Sequence, residues 1–201
     1  MFDQQLSRLI KPALDVAGQL LARAGVTANT LTLIGFFIGM LAVLAIAQQA
    51  YLLGLAAIVL SRLCDGLDGA VARHTQPTDR GGFLDITLDF VFYASIPMAF
   101  ALANPERNAL AASVLLSAFV GTTSSFLAYA VMAAKRSQVS TAYPHKSLVF
   151  LGGLTEATET YAVFAAMCIW PQHFAPLAYG FALACAITTA TRVWWGYTTL
   201  D

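Results

Sequence analysis

Charge is scarce in this sequence. Only 11% of its 201 residues are Asp, Glu, Lys or Arg, against roughly 25% in an ordinary soluble domain. The 11 basic and 11 acidic residues cancel, which leaves no basic surplus for a nucleic-acid partner. Cysteine is scarce too. Cys64, Cys168 and Cys185 each lie in an apolar stretch without C-x-x-C spacing, so neither a zinc site nor a disulfide framework is expected. His74, His145 and His173 are scattered singly, a poor pattern for metal ligation. The first residues lack a basic stretch followed by an apolar core, so no secretory signal is expected.

What fills the chain is apolar: 58% of it is hydrophobic and the mean hydropathy is +0.68. A spanning helix needs about 20 mostly apolar residues. Six stretches meet that need, at 30–47, 51–71, 82–103, 109–134, 148–170 and 174–197. Polar or turn residues separate them, among them Gln48-Gln49, Asn104-Pro105-Glu106 and Pro171-Gln172. Ahead of them, Phe2, Leu6, Leu9, Ile10, Leu14, Ala17, Leu20 and Leu21 recur with helical spacing, while Asp3, Arg8, Lys11, Asp15 and Arg23 fall mostly opposite. That pattern predicts a helix lying in the membrane interface, kinked at Pro12. The expectation is an all-α integral membrane protein forming a single domain over 1–201, with an interfacial helix at 1–24 and a six-helix bundle at 30–197.

With six spans, Arg8, Lys11, Arg23, Arg62, Arg73, Arg80, Lys135, Arg136, Lys146 and Arg192 fall on one side and only Arg107 on the other. The positive-inside tendency puts that basic side, and both termini, in the cytosol. Trp194, Trp195 and Tyr197 read as an interfacial aromatic belt.

Charge inside an apolar segment is expensive and usually functional. Two adjacent segments carry it: Asp65-Gly-Leu-Asp68-Gly69-Ala-Val-Ala72-Arg73, and Gly81-Gly-Phe-Leu-Asp85-Ile-Thr-Leu-Asp89. At 100° per residue, Asp65, Asp68, Gly69, Ala72 and Arg73 share an arc of about 140°. Asp85 and Asp89, four apart, share a face as well. A short connection makes the two helices antiparallel neighbours, so four carboxylates can converge. Unpaired, they would repel one another near hydrocarbon, and Arg73 alone cannot neutralise them. Mg²⁺ or Mn²⁺ can, and such ions commonly bridge carboxylates to substrate phosphates. Gly69 and Ala72 leave room for a bulky ligand. Two ions about 4 Å apart would suit displacement at phosphorus.

The competing structural reading pairs Asp65 and Asp68 with Arg62 and Arg73 as an ion network, but it leaves Asp85 and Asp89 without partners. A cation transporter is the alternative from another class. Its acids would be expected near the bilayer midplane, whereas these crowd toward one side beside Arg73 and a polar loop.

The run resembles the signature of the CDP-alcohol phosphotransferase family, D-x2-D-G-x2-A-R-x8-G-x3-D-x3-D, at Asp65, Asp68, Gly69, Ala72, Arg73, Gly81, Asp85 and Asp89. Seven residues rather than eight separate Arg73 from Gly81, so Gly81 and Gly82 compete for the glycine position. Upstream, Gly25-Val-Thr-Ala-Asn29-Thr-Leu-Thr32 is similar to the family's G-x-x-P-N-x-x-T entry to its first span, with Ala28 in place of proline.

The resemblance implies a phospholipid-synthesis enzyme that moves a phosphatidyl-type group from a CDP-linked lipid, such as CDP-diacylglycerol, to a small alcohol and releases CMP. It implies Asp65, Asp68, Asp85 and Asp89 as ligands of Mg²⁺ or Mn²⁺, two ions being expected, with Asp89 also the base for the acceptor hydroxyl. It implies Asn29, Thr32, Gly69, Ala72, Arg73 and Gly81 at the CDP moiety, and a homodimer. The short chain without targeting extensions leads to the expectation of a bacterial inner membrane, and the basic-residue asymmetry puts the active site on the cytosolic side. Glycerol 3-phosphate is the first acceptor expected, with inositol phosphate, serine and other alcohols as alternatives.

Lys135, Arg136 and Lys146 read equally as positive-inside residues or as contacts for a phosphate-bearing acceptor. Glu156 and Glu159 share a face near the start of the fifth span. There they could favour a helix N-terminus or, on the reading preferred here, recognise the acceptor, because Glu in an apolar segment is expensive.

Overall fold

The computed structural model describes residues 3–135 and 153–200. Seven α-helices and one short 3-10 turn account for nearly all of them. The helices are α1 (Asp3–Arg23), α2 (Ala28–Ala47), α3 (Tyr51–His74), α4 (Asp79–Ala103), α5 (Pro105–Lys135), α6 (Ala157–Ile169) and α7 (Phe174–Thr199).

Local chemistry sets their ends. Gly25, at φ +80°, turns the chain after α1. The Thr27 hydroxyl accepts from Thr30 N at the start of α2, and the Thr78 hydroxyl accepts from Gly81 N at the start of α4. Pro105 occupies the first position of α5. Glu156 caps α6 and Glu159 reaches back to Glu156 N at 3.2 Å, a reciprocal capping box.

Four helices are long and apolar enough to cross a membrane: α2, α4, α5 and α7, the last with the turn before it. α3, at 24 residues, has the length, but Arg62, Asp65, Asp68 and Arg73 interrupt its C-terminal half. α6 begins at Ala157 rather than near 148 and has 13 residues. At 1.5 Å per residue it covers about 20 Å, short of a hydrocarbon core of about 30 Å. α1 is a continuous helix with Pro12 inside it, and it packs on α3, where Gly18 lies against Ala70 and Gly66 against Leu14.

α2 packs on both α3 and α4, and α5 packs on both α4 and α7. Close approach of α2 to α3 depends on Gly35, where an added Cβ would meet Cys64 Cβ at 2.9 Å. The core joins Phe92, Ile96 and Phe100 of α4 to Leu115, Phe164, Met167 and Phe174. The rings of Phe100 and Phe174 stack with centroids 4.6 Å apart. Outward, α2 exposes Leu33, Ile34, Phe37, Leu41 and Leu44, and α7 exposes Trp194, Trp195 and Tyr197. Aqueous proteins seldom leave so much contiguous apolar surface uncovered.

Candidate active site

Asp65 and Asp68 stand three residues apart on α3, and Asp85 stands on α4 across the short turn that joins the two helices. One carboxylate oxygen from each lies within 4.8 Å of the others. Asp68 is buried, and its Oδ2 accepts a hydrogen bond from the Thr32 hydroxyl of α2 at 2.6 Å. Three helices therefore build the cluster. An all-oxygen donor set with this charge fits a hard divalent cation.

Asp89 is one turn further along α4 and faces a different partner. Arg62 Nη1 donates to Asp89 Oδ1 at 2.6 Å and stands 3.4 Å from Asp65 Oδ1. Tyr161 Oη lies 2.7 Å from the same nitrogen, and Arg62 Nη2 donates to Ser61 Oγ at 3.0 Å. The guanidinium also sits 4.6 Å above the Phe92 ring. The ion network weighed from sequence is thus present in altered form: Arg62 joins Asp65 to Asp89, not to Asp68. Arg73 turns away from the cluster and donates to Asp15 Oδ1 of α1 at 2.6 Å through Nη2 and 3.2 Å through Nε.

A cavity of about 1820 Å³ opens beside these groups. All four aspartates line it, as do Asn29, Thr32, Gly69, Ala72, Arg73 and Gly81. At Gly69 an added Cβ would meet nothing nearer than Arg73 Nη1 at 3.6 Å, so this face of α3 is open to a ligand. At Gly81 it would meet Asn29 Oδ1 at 3.0 Å. Gly81 is thus the glycine against which Asn29 is seated.

Glu156 also lines the cavity, whereas Glu159 does not, and both carboxylates serve the capping box of α6. Lys135 is exposed at the end of α5 and is not among the lining residues. Arg136 and Lys146 lie outside the described residues.

Two cations in the wall have more prominent places than sequence reasoning gave them. The sequence offers Arg62 as an orientation marker and as a partner in an ion network, and Arg192 as an orientation marker alone. Arg192 of α7 is 7% exposed, lines the cavity and donates from Nη1 to Thr122 O at 3.1 Å, while its Nε is buried without a hydrogen-bond partner. The available signal was a lone guanidinium within an apolar helix.

Residues 25–194 match the sequence profile of CDP-alcohol phosphatidyltransferases. The chain belongs to the CDP-alcohol phosphatidyltransferase family. It is thus a member of a family of phospholipid-synthesis transferases, and family membership lends no support to the cation-transporter alternative.

An inner membrane protein of Escherichia coli K12, YnjF, is 52% identical over 200 residues, 100% of this chain and 97% of that relative. This likeness and the apolar helices make the chain an integral membrane protein. The archaetidylinositol phosphate synthase of Pyrococcus horikoshii is 39% identical over 99 residues, 49% of this chain and 53% of its own. Two solved structures of Mycobacterium tuberculosis phosphatidylinositol phosphate synthase share the fold, each with a TM-score of 0.67 and covering 92% of this chain. One has CDP-DAG bound, at 20% identity and 94% coverage of that chain; the other is in complex with manganese and citrate, at 21% identity and 89% coverage.

Proposed function

We propose that this CDP-alcohol phosphatidyltransferase transfers a phosphatidyl-type group from a CDP-linked lipid, CDP-diacylglycerol first, to a small alcohol and releases CMP. The observation that carries the reading is the convergence of Asp65, Asp68 and Asp85 within 4.8 Å on the wall of a cavity that the motif residues also line. Asp65, Asp68 and Asp85 would hold Mg²⁺ or Mn²⁺, which would supply electrostatic stabilisation of the charge developing on the diphosphate. Asn29, Thr32, Gly69, Ala72, Arg73 and Gly81 bind and orient the CDP moiety. Thr32 also fixes the Asp68 carboxylate through its 2.6 Å hydrogen bond.

The acceptor oxygen forms a bond to the lipid-proximal phosphorus as the phosphorus–oxygen bond to CMP breaks, with no covalent enzyme intermediate. Asp89, on the cavity wall and held by Arg62, takes the hydroxyl proton. The acceptor is a phosphate-bearing alcohol, glycerol 3-phosphate first and inositol phosphate next. Arg192 supports this choice, being a buried cation in the wall whose Nε has no hydrogen-bond partner. Lys135, Arg136 and Lys146 would assist in binding the acceptor's phosphate, and Glu156 would face its remaining hydroxyls. Glu159 is kept as support for α6.

The membrane arrangement proposed with this activity is a single domain of six spans. Within it α3 crosses with its charges turned to the cavity, α6 lies in the fifth crossing, and α1 lies in the interface. Both termini and the active site face the cytosol of a bacterial inner membrane, and the protein works as a homodimer.

The test is a mass-spectrometric search for the lipid product when purified protein, CDP-diacylglycerol and Mn²⁺ are given glycerol 3-phosphate, inositol phosphate, serine or glycerol. A phosphorylated headgroup on the product lipid supports the assignment. A serine or glycerol adduct alone removes the phosphate-bearing acceptor and keeps the reaction class.

A further inference from the structure

The N-terminal helix contributes to the wall of the site. Ile10, Lys11 and Leu14 of α1 line the cavity beside the motif residues of α3 and α4. α1 also lies close on α3 at Gly66 and Ala70, between the motif's own residues. A Cβ added at Gly18 would meet Ala70 Cβ at 2.6 Å, and one added at Gly66 would meet Leu14 Cδ1 at 3.0 Å.

Asp15 belongs to this packed stretch of α1, between Leu14 and Gly18, and it meets the last turn of α3 twice. Its Oδ1 accepts from Arg73 Nη2 at 2.6 Å and from Arg73 Nε at 3.2 Å. Its backbone oxygen lies 3.1 Å from His74 Nε2. A guanidinium is a planar fork with more than one edge to offer, and Asp15 takes the edge formed by Nε and Nη2. The remaining nitrogen, Nη1, lies 3.6 Å from where a Cβ on Gly69 would stand. Gly69 is one turn before Arg73, on the same face of α3, and it lines the cavity. Asp15 thus holds one side of the guanidinium against α1 while the other side lies over the open surface at Gly69.

The Arg73 side chain is 36% exposed. A long side chain at such a rim has many rotamers to lose on binding a ligand, and ordering it beforehand removes that cost from the binding step.

We infer that Asp15 is a positioning residue for the donor: it grips the Nε–Nη2 edge of Arg73 and so presents Nη1 over Gly69 to the diphosphate of the CDP-linked lipid. This rests on the reading above in which Arg73 and Gly69 bind the CDP moiety. It makes the interfacial helix part of the donor site as well as an anchor. The competing relationship, in which Asp15 and the donor contend for the same guanidinium, requires the phosphates to reach the edge turned toward α1.

The experiment measures the Kd of CDP-diacylglycerol in detergent micelles by calorimetric titration of the purified full-length protein with Mn²⁺ present. Wild type, Asp15→Ala, Arg73→Ala and the double variant form a cycle. Asp15→Ala is expected to raise Kd by about 3–5-fold, the orienting effect of one half-exposed ion pair. Arg73→Ala should raise it further, and the double variant should bind no more weakly than Arg73→Ala alone. Asp15→Asn, which keeps the side chain's shape and removes its charge, repeats the cycle without depending on the folding of Asp15→Ala. Unchanged binding in a folded Asp15 variant overturns the role, and tighter binding overturns it in favour of competition. A loss that persists in the Arg73→Ala background also overturns it, since a purely structural effect on α1 would carry over. Wild-type protein that does not bind the donor overturns the donor reading itself.

Discussion

Arg73 Nη2 and Asp15 Oδ1 stand 2.6 Å apart, tying the last turn of α3 to the N-terminal helix. His74 Nε2 lies 3.1 Å from Asp15 O, so two successive residues of α3 meet one residue of α1. The motif arginine is therefore oriented at the cavity rim by a residue outside the motif.

This pair gives a signed pH dependence. The hydrogen bond from Arg73 lowers the Asp15 carboxyl below its ordinary value of 3.8. A depressed folded-state value means that the stabilisation is fully present above 3.8 and is lost as pH falls through the lowered value. The pair is half exposed, so its contribution is about 0–1 kcal/mol. Thermal unfolding should show Asp15→Asn slightly less stable than wild type at pH 7, with the gap narrowing as pH falls below 3.8. A gap that widens in acid would contradict the assignment.

The aspartates should separate by phenotype. Replacing Asp65, Asp68 or Asp85 with Asn should weaken Mn²⁺ binding and lower turnover by on the order of 10²–10³-fold, the usual effect of losing one electrostatic stabiliser. Asp89→Asn should lower turnover by about 10²–10⁴-fold, as for a general base, while Mn²⁺ binding persists. Calorimetric titration of each variant beside its CMP release reads the difference.

Thr32→Val removes the donor to Asp68. Losing a hydrogen bond to a buried charge costs about 1.5–3 kcal/mol. The loss should appear in metal-free protein and shrink when Mn²⁺ stabilises the same carboxylate. Unfolding midpoints with and without Mn²⁺ test this.

Gly69→Ala and Gly81→Ala should behave differently. The first methyl meets only Arg73 Nη1 at 3.6 Å, and Gly to Ala within a helix favours stability by roughly 0.5–1 kcal/mol. The variant should stay folded and show a raised KM for the CDP-linked donor. The second methyl comes within 3.0 Å of Asn29 Oδ1, so it should displace Asn29 and weaken donor binding without that gain in stability. Unfolding midpoints and donor KM for both variants check the contrast.

Much of this was legible because charge in an apolar sequence is conspicuous. Asp65, Asp68 and Asp85 converge as their spacing requires, and the break at Asn104-Pro105-Glu106 separates α4 from α5. Spacing within one helix cannot say which partner a charge chooses across helices. Arg73 is on the same arc as Asp65 and Asp68, yet Asp15 of α1 draws it away, and Arg62 takes Asp89 because Tyr161 of α6 supports it there. Apolar run length also misjudged the start of α6. Glu156 and Glu159 lie within a hydrophobic stretch, and the reciprocal cap they form begins the helix at Ala157.

The central claim is the reaction itself, and CMP release from CDP-diacylglycerol by purified protein tests it most directly. Glycerol 3-phosphate and inositol phosphate would be supplied in turn, with Mn²⁺ or with chelator, beside Asp89→Asn. The account predicts CMP release that requires both acceptor and metal and collapses in the variant. Folded, metal-bound protein that releases no CMP with either acceptor, or releases it equally well in chelator, would contradict it.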